Sequence, residues 1–160
     1  MMMYTRRAML RDINAIYELG NAEKALQISD DVFLTIEDIR YCIENQKGVF
    51  LVGYLKNKLV GFIYGSLEFP TTGNLMYICI DEKFRRNRHG TNLYVEWVCE
   101  MKNFGLQQIY LLSTNPTCED FFRSRGFKEE ENSLVVMTKR MINPEIPLKS
   151  SVNPKENIKQ

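Results

Sequence analysis

The sequence predicts a mixed α/β (α+β) domain, with one mixed sheet and helices on both faces. Three observations predict it. The chain has 160 residues, 44% hydrophobic and 26% charged, which suits one soluble globule able to bury a core without staples. Its segments run strand, two helices, three strands, helix, strand, helix, strand, and such a mixed order gives a mixed sheet covered on both sides. Finally, the stretch from Asn74 to Phe104 reads as a buried strand, a basic turn and an amphipathic helix in direct succession.

Each element has its own signal. Met3 to Ala8 is a first strand. Leu10 to Leu19 carries Ile13, Ile16 and Tyr17 at helical spacing, with Asp12 near its start. Thr35 with Asp38 three residues on is a capping-box pattern, with Asp in place of Glu, and opens a second helix through about Asn45. Val49 to Leu55 and Leu59 to Leu67 are apolar and β-rich, and the short polar link between them is a hairpin turn. Gly61 and Gly65 in the second of these strands suggest a close approach or a bulge. Glu68 ends that strand, and Phe69 to Gly73 is a loop marked by Pro70. Asn74 to Asp81 is the buried strand of the central stretch. Leu93, Trp97 and Met101 form the apolar stripe of its helix, which Gly105 stops. Gln108 to Thr114 is the next strand, Cys118 to Arg125 a helix ended by Gly126, and Leu134 to Met141 a closing strand. The domain therefore spans 1–142. From Asn143 to the end, three prolines and few large apolar residues predict a flexible tail over 143–160.

Composition excludes several function classes. A net charge of +1 supplies no global field for nucleic acid. The four cysteines Cys42, Cys79, Cys99 and Cys118 lack metal-ligand spacing and the chain has one histidine, so no metal is expected. The opening residues lack the apolar core of a secretory signal, so reduced cysteines and a cytoplasmic location are expected. No apolar run is long enough to span a bilayer, so no membrane partner is expected.

The basic turn carries the chemistry. Lys83, Arg85, Arg86 and Arg88 stand together with no acid between them, immediately before a helix. A helix start offers N–H groups without intrahelical partners and partial positive charge, and phosphates settle there. Gly90 clears a side chain from the approach. Charge alone favours a solvated turn, because basic runs are common on surfaces. The order of residues adds a resemblance. Arg85 to Gly90 resembles the acyl-CoA signature of the GNAT superfamily of N-acetyltransferases, which is Gln or Arg, two residues, Gly, one residue, then Gly or Ala; Arg88 stands where that signature has its first Gly. Asn115 to Phe127 resembles the superfamily's next motif, an Asn, a short helix and Gly-Phe. The resemblance covers roughly residues 3 to 141, on the scale of one domain.

The resemblance implies a GNAT-like, mostly antiparallel central sheet of six to seven strands, with a splay between the two central strands that end near Asp81 and Thr114. It implies acetyl-CoA as co-substrate. The backbone near Ile78, Cys79 and Ile80 would pair with pantetheine as an added strand. Arg85, Arg86, Asn87, Arg88, His89, Gly90 and Thr91 would surround the pyrophosphate, Asn115 would hold pantetheine, and Phe122 is a further cofactor-binding position. Phe122 stands where many relatives have a Tyr that protonates the leaving thiolate, and Tyr110 where some have a Glu base. The acid–base candidates are therefore Tyr110, Tyr77 and Glu68. Each has a structural alternative: aromatic strand residues pack, and a carboxylate at a strand end is solvated. Cys79 and Cys118 are nucleophile candidates or packing residues, and His89 is a base or an anion ligand.

The function expected is transfer of acetyl from acetyl-CoA to a primary amine (a small metabolite, a polyamine or a protein amine) by direct attack in a ternary complex. The alternative is a non-catalytic acyl-CoA-binding sensor or partner subunit on the same fold. Seven acids against two bases between Glu18 and Glu44 give a local charge of −5, read either as an acidic lip for a cationic amine or as solvated helix faces. A homodimer is allowed, with the tail after Asn143 free to exchange between subunits.

Overall fold

The structure is a computed structural model and describes residues 1–26, 33–112, 116–129 and 136–140. Strand β1 (Tyr4–Arg7) leads through a 3-10 turn at Leu10–Asp12 into helix α1 (Ile13–Ala22). A second 3-10 turn at Lys24–Leu26 precedes helix α2 (Ile36–Glu44). Strands β2 (Gly48–Leu55), β3 (Lys58–Leu67) and β4 (Thr72–Ile80) follow as a meander. A 3-10 turn at Glu82–Phe84 leads to helix α3 (His89–Lys102), strand β5 (Gln108–Leu112), helix α4 (Pro116–Arg123), and strands β6 (Lys128–Glu129) and β7 (Val136–Arg140). Among the described residues the strands form one seven-stranded sheet in the order β1-β2-β3-β4-β5-β7-β6. Every neighbouring pair is antiparallel except β4 with β5.

Local chemistry explains most of these boundaries. The Thr35 hydroxyl accepts from the Asp38 N–H at 3.1 Å while the Asp38 carboxylate accepts from the Thr35 N–H at 3.0 Å, so the expected capping box starts α2. Gly105, at φ +92°, turns the chain out of α3. The β3–β4 register slips between Tyr64 and Gly65, leaving Met76 as the extra residue of β4. A side chain at Gly65 would lie 2.3 Å from the Trp97 ring, so this glycine lets α3 seat its tryptophan on the sheet. Trp97 is fully buried, and its Nε1–H donates to the Val49 carbonyl at 3.1 Å.

Two cores sandwich the sheet. On one face, α3 and α4 pack Leu93, Trp97, Met101 and Phe122 against Val49, Leu51, Ile63, Leu75, Ile109 and Leu111. On the other, α1 and α2 pack Ile13, Ile16, Ile39 and Cys42 against Phe50, Val52, Phe62, Tyr64 and Cys79. Asp12, 2% exposed, ties this second layer to the sheet. It accepts from both guanidinium nitrogens of Arg6 at 2.7 and 2.8 Å, from the Met9 N–H at 2.7 Å and from the Tyr54 hydroxyl at 2.7 Å. Burial pushes this carboxyl up, but the bonds to Arg6, Met9 and Tyr54 outweigh it and hold Asp12 at about 2.

Two element starts and one strand differ from expectation. Strand β4 begins at Thr72 rather than Asn74, because Thr72 and Gly73 find partners in β5. Helix α4 begins at Pro116, two residues before Cys118 and consistent with the preference of proline for a first helical turn. The two-residue strand β6 was not expected. Asn115, Thr114 and the tail from Asn143 lie outside the described residues.

Candidate active site

The parallel pairing of β4 with β5 covers only Thr72–Asn74 against Gln108–Tyr110. Beyond that point β4 runs on to Ile80 and β5 to Leu112 without pairing to each other. This is the expected splay. It leaves the second half of β4 paired on its β3 side alone, so backbone N–H and C=O groups face the gap with no strand opposite them. Ile78, Cys79 and Ile80 lie in this half. Ile78 and Ile80 lean on the α3–α4 core, and Cys79, 4% exposed, packs in the other. Burial, helped by the Asp81 carboxylate, pushes the Cys79 thiol up to about 12. Burial also raises Cys118, against the pull of Arg85. Both cysteines are therefore thiols at neutral pH, not poised nucleophiles.

The gap opens onto the start of α3. The first intrahelical bond runs from the Asn92 N–H to the Arg88 carbonyl at 3.0 Å, so the N–H groups of His89, Gly90 and Thr91 project from the helix end. Arg86 and Arg88 both adopt φ +63°, and Arg88 is the N-cap of α3. The left-handed backbone that the signature's glycine would take freely is thus taken here by an arginine. A Cβ on Gly90 would lie 3.4 Å from the Phe121 ring and 3.7 Å from Ile80, so a side chain there would fill the space between strand, helix and α4.

The predicted cradle residues divide. Arg86, Asn87 and Arg88 are exposed, with Asn87 donating to the Phe84 and Arg85 carbonyls at 3.3 Å each. Arg85 is engaged within the protein: its Nε–H donates to the Ile80 carbonyl at 2.9 Å, and its Nη2 pairs with Glu23 just past the end of α1. His89 is 7% exposed, its Nδ1 has no hydrogen-bond partner among the described residues, and it lines a cavity of about 620 Å³ with Leu55, Lys56 and Phe84. Thr91 accepts from Arg125 through its hydroxyl. Phe122 is 4% exposed and stacks edge-on to Phe121 and Phe127, with ring centroids 5.1 and 5.3 Å away. It serves the core.

Two of the acid–base candidates meet. The Tyr110 hydroxyl donates to Glu68 Oε2, and Asn74 Nδ2 donates to Glu68 Oε1 at 3.1 Å. Asn74 and Tyr110 form the last β4–β5 pair, so this trio sits at the root of the splay. Leu75 faces α3, which puts Asn74 and Tyr110 on the α1–α2 side. Burial and the Glu68 carboxylate push the Tyr110 phenol up to about 12, so it is a proton donor at neutral pH. Tyr77 lies on the same side but makes no hydrogen bond to that pair among the described residues. It packs edge-on to Phe33 at 5.2 Å, and burial raises its phenol. Tyr77 and Met76 line a cavity of about 430 Å³ with Asp38, Tyr41, Lys47, Tyr64 and Ser66, between α2 and the sheet.

The sequence model of the acetyltransferase (GNAT) family matches residues 11–127. The chain belongs to the GNAT acetyltransferase family. Solved structures of the same fold include the PaiA N-acetyltransferase of Thermoplasma acidophilum in complex with coenzyme A, at 19% identity and a TM-score of 0.69, covering 88% of this chain and 99% of that one. A GNAT acetyltransferase from Staphylococcus aureus Mu50 has 16% identity and a TM-score of 0.77, over 88% and 100% of the two chains. The ribosomal-protein-S18-alanine N-acetyltransferase of Escherichia coli has 14% identity and a TM-score of 0.70, over 91% and 99%. No curated protein matches the chain by sequence. Among the described residues, no helix is long and apolar enough to cross a membrane.

Proposed function

We propose that this protein transfers an acetyl group from acetyl-CoA to a primary amine. The observation that carries the proposal is the splay itself, which leaves unpaired β4 backbone leading directly to an exposed helix start. The residues present fit the cofactor. The free edge of β4 offers pantetheine a strand to pair with, and the space at Gly90 admits a phosphate to the N–H groups of His89, Gly90 and Thr91. The crystallised complex of the Thermoplasma acidophilum relative with coenzyme A supports the same assignment.

The residues at the root of the splay supply the proton chemistry. In the transfer, the amine nitrogen bonds to the acetyl carbon, the carbon–sulfur bond breaks and the amine loses a proton. Glu68 is exposed and oriented by Tyr110 and Asn74, so its carboxylate can take that proton directly or through one water. The Tyr110 phenol, donating to Glu68, holds the carboxylate in place. A backbone N–H of β4 near Ile80, on the unpaired side, would bind the developing oxyanion. Phe122 supplies no proton, so the thiolate departs with help from solvent or from a phenol of the α1–α2 face. The amine enters on that face, through the cavity lined by Met76 and Tyr77.

The test is thiol release from acetyl-CoA in the presence of a panel of diamines, amino acids and peptides with free N-termini. Release above the hydrolysis background, with acetylated amine detected by mass, is the expected result. A protein that binds acetyl-CoA but accelerates release with no amine would be the sensor instead.

A further inference from the structure

Arg125, at the end of the segment that closes α4, is a cation in an unfavourable place. It is half-buried, its Nε is sealed from solvent with no acceptor, and no carboxylate lies within ion-pair distance among the described residues. Two residues earlier, Arg123 takes three acids: Glu119 and Asp120 at 3.3 Å each, and Glu129. The acids of this segment are thus spent on its neighbour. Arg125 is held instead by neutral groups. Its Nη1 donates to the Phe121 carbonyl at 2.7 Å and to the Ser124 hydroxyl at 2.9 Å, its Nη2 donates to the Thr91 hydroxyl, and its guanidinium lies 3.5 Å from the Phe121 ring centroid.

Thr91 is in the first turn of α3, where the helix already presents partial positive charge. A cation there is repelled, and a half-buried one also loses hydration. Burial lowers the Arg125 pKa, against a smaller opposing pull from Tyr94. Arg86 and Arg88 stand on the same turn without an ion pair among the described residues. An arrangement that gathers Arg86, Arg88 and Arg125, none ion-paired among the described residues, with orphan N–H groups is completed by an anion.

We propose that Arg125 is a further phosphate contact, and that it reaches the pyrophosphate of CoA from the α4 side of the α3 start. This rests on the acetyl-CoA reading above. The pyrophosphate is chosen over the 3′-phosphate on chemical order: pantetheine follows β4 to its end, and the first anionic group beyond pantetheine is the pyrophosphate. Phe121 holds the guanidinium flat, and beyond the bond to Thr91 its Nη2 keeps one N–H for a phosphate oxygen.

The experiment measures Kd for CoA and for dephospho-CoA, by calorimetry, on the full chain and on Arg125→Gln and Arg125→Lys, with melting temperatures of each apo protein. Arg125→Gln should raise both Kd values by about tenfold to a hundredfold, with Arg125→Lys between. The apo protein should melt no lower, because the lost cation had no acid partner. Unchanged Kd values overturn the assignment, as does a loss confined to CoA, which would place Arg125 on the 3′-phosphate. A lower apo melting temperature with an unchanged Kd would make Arg125 purely structural. Wild-type protein that binds neither ligand overturns the cofactor reading, and this assignment with it.

Discussion

Replacing Arg88 by glycine should stabilise this protein, although it removes a residue of the phosphate turn. Arg88 caps α3 at φ +63°, ψ +10°, a left-handed conformation. An L-residue pays about 1–2 kcal/mol to sit there. Glycine adopts it freely but loses about 0.5–1 kcal/mol more in chain entropy on folding. The Arg88 side chain is exposed and has no ion pair among the described residues, so little contact energy is lost with it. The balance is about 0.5–1 kcal/mol in favour of glycine, a rise in melting temperature of roughly 1–4 °C. Arg88→Ala is the control, since it removes the same charge but keeps the Cβ. Thermal melting of the apo proteins at moderate salt separates the two. A rise for Arg88→Gly and none for Arg88→Ala supports the backbone argument. An equal rise for both would trace the effect to charge repulsion, and a fall for Arg88→Gly would refute the reasoning.

Glu68→Gln should lower kcat about a hundredfold with little change in the acetyl-CoA KM, since it removes a proton acceptor and leaves the cradle alone; an equal rise in KM would contradict that role. Because the Tyr110 phenol is held at about 12, turnover should show no loss from its ionisation between pH 7 and 10, and Tyr110→Phe should leave the alkaline side of the pH profile unchanged. Asp12, held at about 2 against an ordinary 3.8, contributes roughly 2–3 kcal/mol that is present above pH 4 and fades as pH falls towards 2. Chemical denaturation of Asp12→Asn across that range should converge on wild type at the acid end. Gly65→Ala should destabilise by more than 1 kcal/mol, because its methyl meets the buried Trp97 ring and the Asn74 carbonyl, and denaturant midpoints will read it.

What the sequence made legible was local. The Thr35–Asp38 capping box, the glycine-marked bulge in β3–β4 and the strand–turn–helix around Arg85 depend on neighbours in the chain, and all are present. What it hid was long-range. The early start of β4 depends on β5 as a parallel partner, and β6 is two charged residues that are a strand only because β7 lies beside them. The site divides the same way. Tyr110 and Glu68 were each singled out, yet their meeting follows from the register that pairs Asn74 with Tyr110. Arg85 had the right position in the signature, but nothing local reveals that Glu23 engages it. Phe122 stands four residues before Gly126, where the resemblance puts a proton donor, and nothing local reveals that it packs in an aromatic cluster with Phe121 and Phe127. Arg125 passed unnoticed. Its signal was that the nearby acids fall within reach of Arg123 instead, which only the folded segment shows.

Amide hydrogen exchange with and without acetyl-CoA tests the central claim most directly, because it reads the backbone groups said to bind the cofactor. The account predicts slowed exchange in the second half of β4, from Met76 to Ile80, and at His89, Gly90 and Thr91, with little change in β1 and β2. Protection that is absent from both segments, or that falls on the far edge of the sheet instead, would contradict it.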